Sequence, residues 1–149
     1  MVKFIAEVSS NHAQNLDRCL DFVRVAAECG FDSVKFQLFK IDELFTEDVI
    51  SNSEEHSKRR QWELPSQFLP IIKDECIKNN IELGITPFYL DAVDEAYNYV
   101  DYFKIASYEI LWLELIKKCA LTNKPIIFST GMAKIHEIEA AYNTLIDNN

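Results

Sequence analysis

The sequence predicts an α/β protein of the (β/α) TIM-barrel type that carries about the first five β-α units. Three observations predict it. Short β-branched and aromatic runs alternate five times with longer helical patterns, which is the rhythm of a parallel sheet with crossover helices. The only glycines are Gly30, Gly84 and Gly131; no G-x-G-x-x-G or G-x-x-x-x-G-K-[ST] loop can be written with them, which argues against a doubly wound nucleotide fold. Every strand instead has a polar residue at or just past its C-terminal end: Glu7 and Ser9, Lys35 and Gln37, Thr86, Lys104 and Ser107, and Ser129. Barrel proteins place their chemistry there. A full barrel takes about 250 residues, so residues 1–149 are expected to form the N-terminal part of one, without its later strands.

Each element has a local reason. "KFIAEVS" (3–9) reads as the first strand. Leu16, Leu20, Val23 and Ala27 then fall on one helical face, with Gly30 where a left-handed C-terminal cap belongs. "SVKFQLF" (33–39) is the second strand. The polar segment 41–63, with "NSEEHSKRRQWE", reads equally as a solvated helix or loop and as a lid over the strand ends. A helix is expected from Pro65 or Ser66 to about Asn80, then a third strand "IELGIT" (81–86) and a helix over about 90–99. "YFKIAS" (102–107) is the fourth strand, followed by a helix through Leu115, Ile116 and Cys119. "PIIFST" (125–130) is the fifth. The last helix, 134–146, places Ile135, Ile138, Tyr142 and Leu145 in register.

Composition narrows the function. Hydrophobic residues make up 48% and charged residues 26%, which is ordinary for a globular chain. A formal charge of −9 leaves no basic stripe for nucleic acid or an acidic membrane. No apolar run is long enough to span a bilayer, and the N-terminus lacks a signal-peptide pattern. Cys19, Cys29, Cys76 and Cys119 all fall in helical patterns without a C-x-x-C pair, so reduced, packed thiols in a cytoplasmic protein are expected.

Two lysines stand out. Alternate strand residues share a face, so Lys35 and Gln37 oppose Val34, Phe36 and Leu38, and Lys104 opposes Phe103 and Ile105. If the bulky faces meet the helices, both ammonium groups point into the barrel, where a lone charge is costly. Three outcomes are open: a structural ion pair with Glu7 or Glu109, a Schiff-base lysine, or a pair of cations awaiting a dianion.

The segments "IAEVSSNH" (5–12), "VKFQLFK" (34–40), "ITPF" (85–88), "FKIASYEI" (103–110) and "KPIIFSTGMA" (124–133) occur in order across the chain. Together they resemble the N-terminal barrel of the sialic acid synthase family, comprising the N-acetylneuraminate, legionaminate and pseudaminate synthases. The resemblance implies condensation of phosphoenolpyruvate with an N-acylated hexose, N-acetylmannosamine or a diacetamido hexose, with release of phosphate. It implies a phosphoenolpyruvate site built from Glu7, Lys35, Lys104, Ser107 and Ser129, with Gln37, Thr86 and Glu109 at further polar positions of the same pocket. Glu7 or Glu109 would steer a water or a proton. A divalent metal, manganese or magnesium, is implied as Lewis acid, as is a homodimer. The family's metal histidines match none of His12, His56 or His136, so no metal ligand is expected in this chain, and the C-terminal antifreeze-like domain is expected to be absent.

The chain also departs from the pattern. Ala13-Gln14 stand where relatives usually continue Asn-Gly, Leu38 replaces a common threonine, and Ser9 and Tyr108 stand where many relatives have glycine. His12 matches the family's Asn-His pair, where facing substrate and stabilising the loop are both open. Two other functional readings remain: a non-catalytic fragment or assembly partner, and a Schiff-base aldolase using Lys35 or Lys104.

Overall fold

The computed structural model describes residues 2–149. Five parallel strands form one sheet: β1 (Ile5–Ser9), β2 (Ser33–Leu38), β3 (Glu82–Pro87), β4 (Tyr102–Ile105) and β5 (Ile126–Phe128). Their order is β1-β2-β3-β4-β5, every neighbouring pair parallel. This order excludes a doubly wound sheet, in which strand order reverses at a switch point. Successive strands laid side by side in one rotational sense are the wall of a barrel.

The connecting helices are α1 (Leu16–Glu28), the short α2 (Ile41–Leu44), α3 (Glu47–Asn52) and α4 (Glu54–Lys58), then α5 (Leu69–Lys78), α6 (Leu90–Tyr97), α7 (Leu113–Ala120) and α8 (Ile135–Asp147). Helix α1 starts where the Asn15 side chain accepts the Arg18 N–H at 2.9 Å and ends at Gly30, whose φ of +80° is the expected left-handed cap. The core lies between helices and the outer sheet face. Val34, Phe36, Leu38, Leu83, Ile85, Phe103 and Ile105 are buried there with Val23, Ile72, Val93, Leu115 and Ile116. Each such side chain contributes about 1.5–3 kcal/mol of burial. Using up the bulky apolar residues outward fixes the opposite face, which presents Glu7, Lys35 and Lys104.

Several elements differ from expectation. Helix α5 begins at Leu69 rather than at 65 or 66, after a 3₁₀ turn at Ser66–Phe68. Pro70 lacks an N–H and fits only a helix's first turn, so it sets the start. Strand β4 stops at Ile105, and Ser107–Leu111 form a 3₁₀ turn, which puts Ser107 and Glu109 on a turn rather than on the sheet. On α8 the covered residues are Ala141, Ile138 and Leu145, while Ile135 and Tyr142 are exposed; the packed stripe follows small Ala141 rather than the larger tyrosine. Cys19, Cys76 and Cys119 are buried thiols, but Cys29 is exposed because it caps α1.

The β1-α1 loop departs most from ordinary backbone geometry. Ser9, Ala13 and Gln14 have φ of +56°, +49° and +54°, a region that costs non-glycine residues about 1 kcal/mol or more each. Ala13 is exposed and its side chain makes no hydrogen bond, so Ala13→Gly is expected to stabilise the chain by about 1 kcal/mol. A thermal melt should rise by about 3 °C; an unchanged or lower midpoint refutes the strain.

Candidate functional site

The inner sheet face assembles most of the expected site residues. Strand register puts Glu7 beside Lys35, and Lys35 beside Gly84. Lys35 is only 5% exposed. Its ammonium is paired with the Glu7 carboxylate and donates to Thr86 Oγ1 at 3.0 Å. Of the two carboxylates left open as partners, Glu7 is the one chosen, because Glu109 has moved onto the 3₁₀ turn. Burial is the main force holding the Lys35 pKa below its ordinary value; Lys104 adds repulsion, and Glu7 works against both. Lys104 lies on the same inner face, two strands away across β3. Among the described residues no salt bridge involves Lys104.

A register shift between Glu7 and Ser9 shapes the top of β1. With Ser9 in the left-handed region, its N–H reaches back to Glu7 Oε1 at 2.9 Å, and its hydroxyl donates to Gln37 Oε1 at 2.7 Å. Glu7, Lys35, Thr86, Ser9 and Gln37 thus sit in one neighbourhood. The bulge aims a carboxylate at the lysine, and among the described residues the Gln37 amide nitrogen has no hydrogen-bond acceptor.

Across the sheet, Ser129 follows β5, its N–H donating to the Ile105 carbonyl at 3.0 Å. The loop after it passes close to Ser107: a Cβ built on Gly131 would lie 2.9 Å from Ser107 Oγ. Gly131 is needed for space rather than for backbone freedom. Sequence reading gave it no part in the site, although one of only three glycines directly after a strand was a usable signal. Glu109 is half-buried. Burial raises its carboxyl pKa, against which its own backbone N–H and Lys104 act, and Oε2 has no hydrogen-bond partner.

Segment 41–63 folds into α2, α3, α4 and a 3₁₀ turn at Arg59–Trp62. No residue of α3 or α4 is buried, so these helices are solvated. The segment is closed by the Glu63 carboxylate accepting the Ile41 N–H at 2.7 Å. A cavity of about 190 Å³ lies at the end of β2, lined by Ser10, Gln37, Phe88, Arg59 and Trp62 among others. The middle of the segment is thus solvated, while its ends line this cavity through Ile41, Leu44, Arg59 and Trp62.

The histidines do not form a metal centre. His12 is fully buried against Phe36, and its Nδ1 accepts the Gln14 N–H at 3.1 Å. Burial, with a smaller contribution from Arg18, lowers its pKa. It braces its loop. His56 contacts Ser53 Oγ at 2.6 Å, and His136 is exposed on α8. Among the described residues no three His, Cys, Asp or Glu side chains cluster as a metal would require, so the divalent ion implied by the resemblance finds no ligand set here. No described helix is long and apolar enough to cross a membrane.

A parallel β/α sheet with charged and hydroxyl side chains gathered at its strand ends defines a TIM-barrel-type protein whose candidate site lies on the inner face. The chain belongs to the NeuB family, whose profile matches residues 22–149. It is 32% identical over 152 aligned positions to the spore coat polysaccharide biosynthesis protein SpsE of Bacillus subtilis, covering 97% of this chain and 41% of that protein. It is 35% identical to the N,N'-diacetyllegionaminic acid synthase of Campylobacter jejuni, covering 97% and 46%. Among solved structures, the N-acetylneuraminic acid (sialic acid) synthetase of Leptospira borgpetersenii, crystallised with citrate, superposes with a TM-score of 0.90 at 28% identity, covering 99% and 50%. The chain thus spans less than half the length of the two curated relatives.

Proposed function

We propose that this chain forms the phosphoenolpyruvate-binding face of a nonulosonic acid synthase, which joins that enol ester to the open-chain aldehyde of an N-acylated hexose. The observation that carries this reading is that Lys35 of β2 and Lys104 of β4 share the inner face, Lys35 bonded to the Thr86 hydroxyl, with Ser107 and Ser129 just past the ends of β4 and β5. Two ammonium groups with adjacent hydroxyls match a ligand bearing a phosphate and a carboxylate. Held there, its C3 attacks the aldehyde carbon, whose carbonyl π pair moves onto oxygen and takes up a proton, and C2 is left with cationic character. Water adds to C2 and loses a proton. The tetrahedral intermediate then expels phosphate by C–O cleavage and becomes the 2-keto acid. Glu7, already engaged by Lys35, orients the ammonium; Glu109, with its raised pKa and unpartnered oxygen, suits the proton transfer.

Calorimetric titration of the 149-residue chain with phosphoenolpyruvate is expected to show saturable binding, and absence of binding would sink the proposal. With manganese, phosphoenolpyruvate and N-acetylmannosamine, the same chain is expected to release little or no phosphate, because its described residues supply no metal ligand set. Robust release would show that the face is sufficient by itself. The lowered pKa of Lys35 keeps a Schiff-base aldolase as a second reading; borohydride trapping with pyruvate should label no lysine if the anion-site reading is correct. The exposed inner-face Ile127, 44% accessible, favours a third reading, a non-catalytic assembly partner. A compact monomer in sedimentation would count against it.

A further inference from the structure

Below the ammonium pair lies a contact that the proposed chemistry does not use. Tyr102 stands two residues before Lys104 on β4, and Ser33 two residues before Lys35 on β2, so each shares a face with its lysine. The Tyr102 hydroxyl and Ser33 Oγ are 2.7 Å apart, and both residues are buried. Strand β3 runs between them and is paired at Gly84 with Lys35 on one side and Tyr102 on the other. A Cβ on Gly84 would lie 2.2 Å from Tyr102 Cζ, 2.4 Å from the hydroxyl and 2.5 Å from Cε2. The ring therefore crosses bare backbone at Gly84. It links two strands that are not neighbours and stand about 10 Å apart at ordinary sheet spacing.

We infer that Tyr102 is a positioning residue: a strut from β4 to β2 that sets the separation at which Lys35 and Lys104 face one ligand. The inference rests on reading the lysines as an anion site, but the strut itself rests on the Tyr102–Ser33 contact over Gly84. Burial, with Glu82, Glu7 and Asp101 adding and the Ser33 hydrogen bond opposing, pushes the Tyr102 hydroxyl up to about 12, so the tie stays neutral and intact at working pH. Sharing the inner face with Lys35 are Glu7 from β1, Glu82, Gly84 and Thr86 from β3, and Tyr102 and Lys104 from β4, with Ile127 of β5 beside Lys104.

The test is Tyr102→Phe, which keeps the ring and removes the tie, with Ser33→Ala severing the other end. In the ligand-free chain, the Lys35 side chain is followed by NMR against pH and assigned through its loss in Lys35→Arg. Its titration midpoint is expected to rise by about half a unit or more in both variants, as the lysines separate and water enters. Phosphoenolpyruvate binding should weaken about three- to tenfold, and by less than about twofold when Tyr102→Phe is made on Lys104→Met, where no pair remains to be spaced. An unchanged Lys35 midpoint with a lowered melting temperature would reduce Tyr102 to ordinary packing and overturn the inference. If the wild-type chain fails to bind phosphoenolpyruvate, the anion-site reading falls, while the midpoint still decides the strut.

Discussion

Lys35→Met is expected to remove phosphoenolpyruvate binding while leaving the fold intact or slightly firmer. The two effects have opposite signs for one reason. In the folded chain the ammonium is nearly buried, paired with a half-exposed Glu7 and hydrogen-bonded to Thr86. Desolvating a charge opposes folding, and a buried ion pair replaced by an apolar side chain of similar volume is often neutral or stabilising by about 1–4 kcal/mol. Glu7 is left half in water and tolerates the loss; Thr86 loses one donor. With ligand present the balance reverses, because a partly desolvated cation meets a dianion. Loss of such a contact costs about 2–4 kcal/mol, or about 30- to 1000-fold in affinity. Calorimetry and a thermal melt on the same sample check both halves. Retained binding within about threefold of wild type, or a melt lowered by ten degrees, would contradict this account.

Gly84→Ala should be the most disruptive single-methyl change available. The new Cβ would overlap three Tyr102 atoms at 2.2–2.5 Å. A long flexible side chain would swing away, but this ring is 4% exposed and its hydroxyl is bonded to Ser33. It can move only by breaking that bond and intruding on its buried neighbours. Overpacking of this kind costs about 1–3 kcal/mol, occasionally more, and here the lost hydrogen bond adds about 1 kcal/mol. Urea unfolding should show the drop as a lower midpoint at unchanged slope. The double variant Gly84→Ala with Tyr102→Ala should lose less than the sum of the two single changes, since removing the ring removes the clash. Full additivity would mean that the two sites do not touch.

The two predictions also mark what could be read at each level. Lys35 and Lys104 were legible in the linear sequence because strand alternation is local: each lies between residues too apolar to face anywhere but the helices. The choice of Glu7 over Glu109 as the partner was not legible. It depends on β4 ending at Ile105, so that Glu109 rises on a turn, and on a bulge in β1 that bends Ser9 back toward Glu7. The face of α8 was legible only in part, through Ile138 and Leu145, for a similar reason. Helical spacing shows that a stripe exists, but the packing against α7 decides whether Ala141 or Tyr142 lies at its centre.

The sequence by itself determined five β-α units, an outward apolar face, and polar side chains at the strand ends, because these follow from periodicities of two and 3.6 along the chain. Its ordered motifs also pointed to the family. Only the tertiary structure decided which groups meet. Residues 33 and 102 are 69 positions apart, and no pattern along a chain records that a tyrosine on one strand will reach over a glycine on the next to grip a serine on a third. Contacts between non-neighbouring strands are fixed by sheet curvature and close packing, which are properties of the assembled wall rather than of any segment in it.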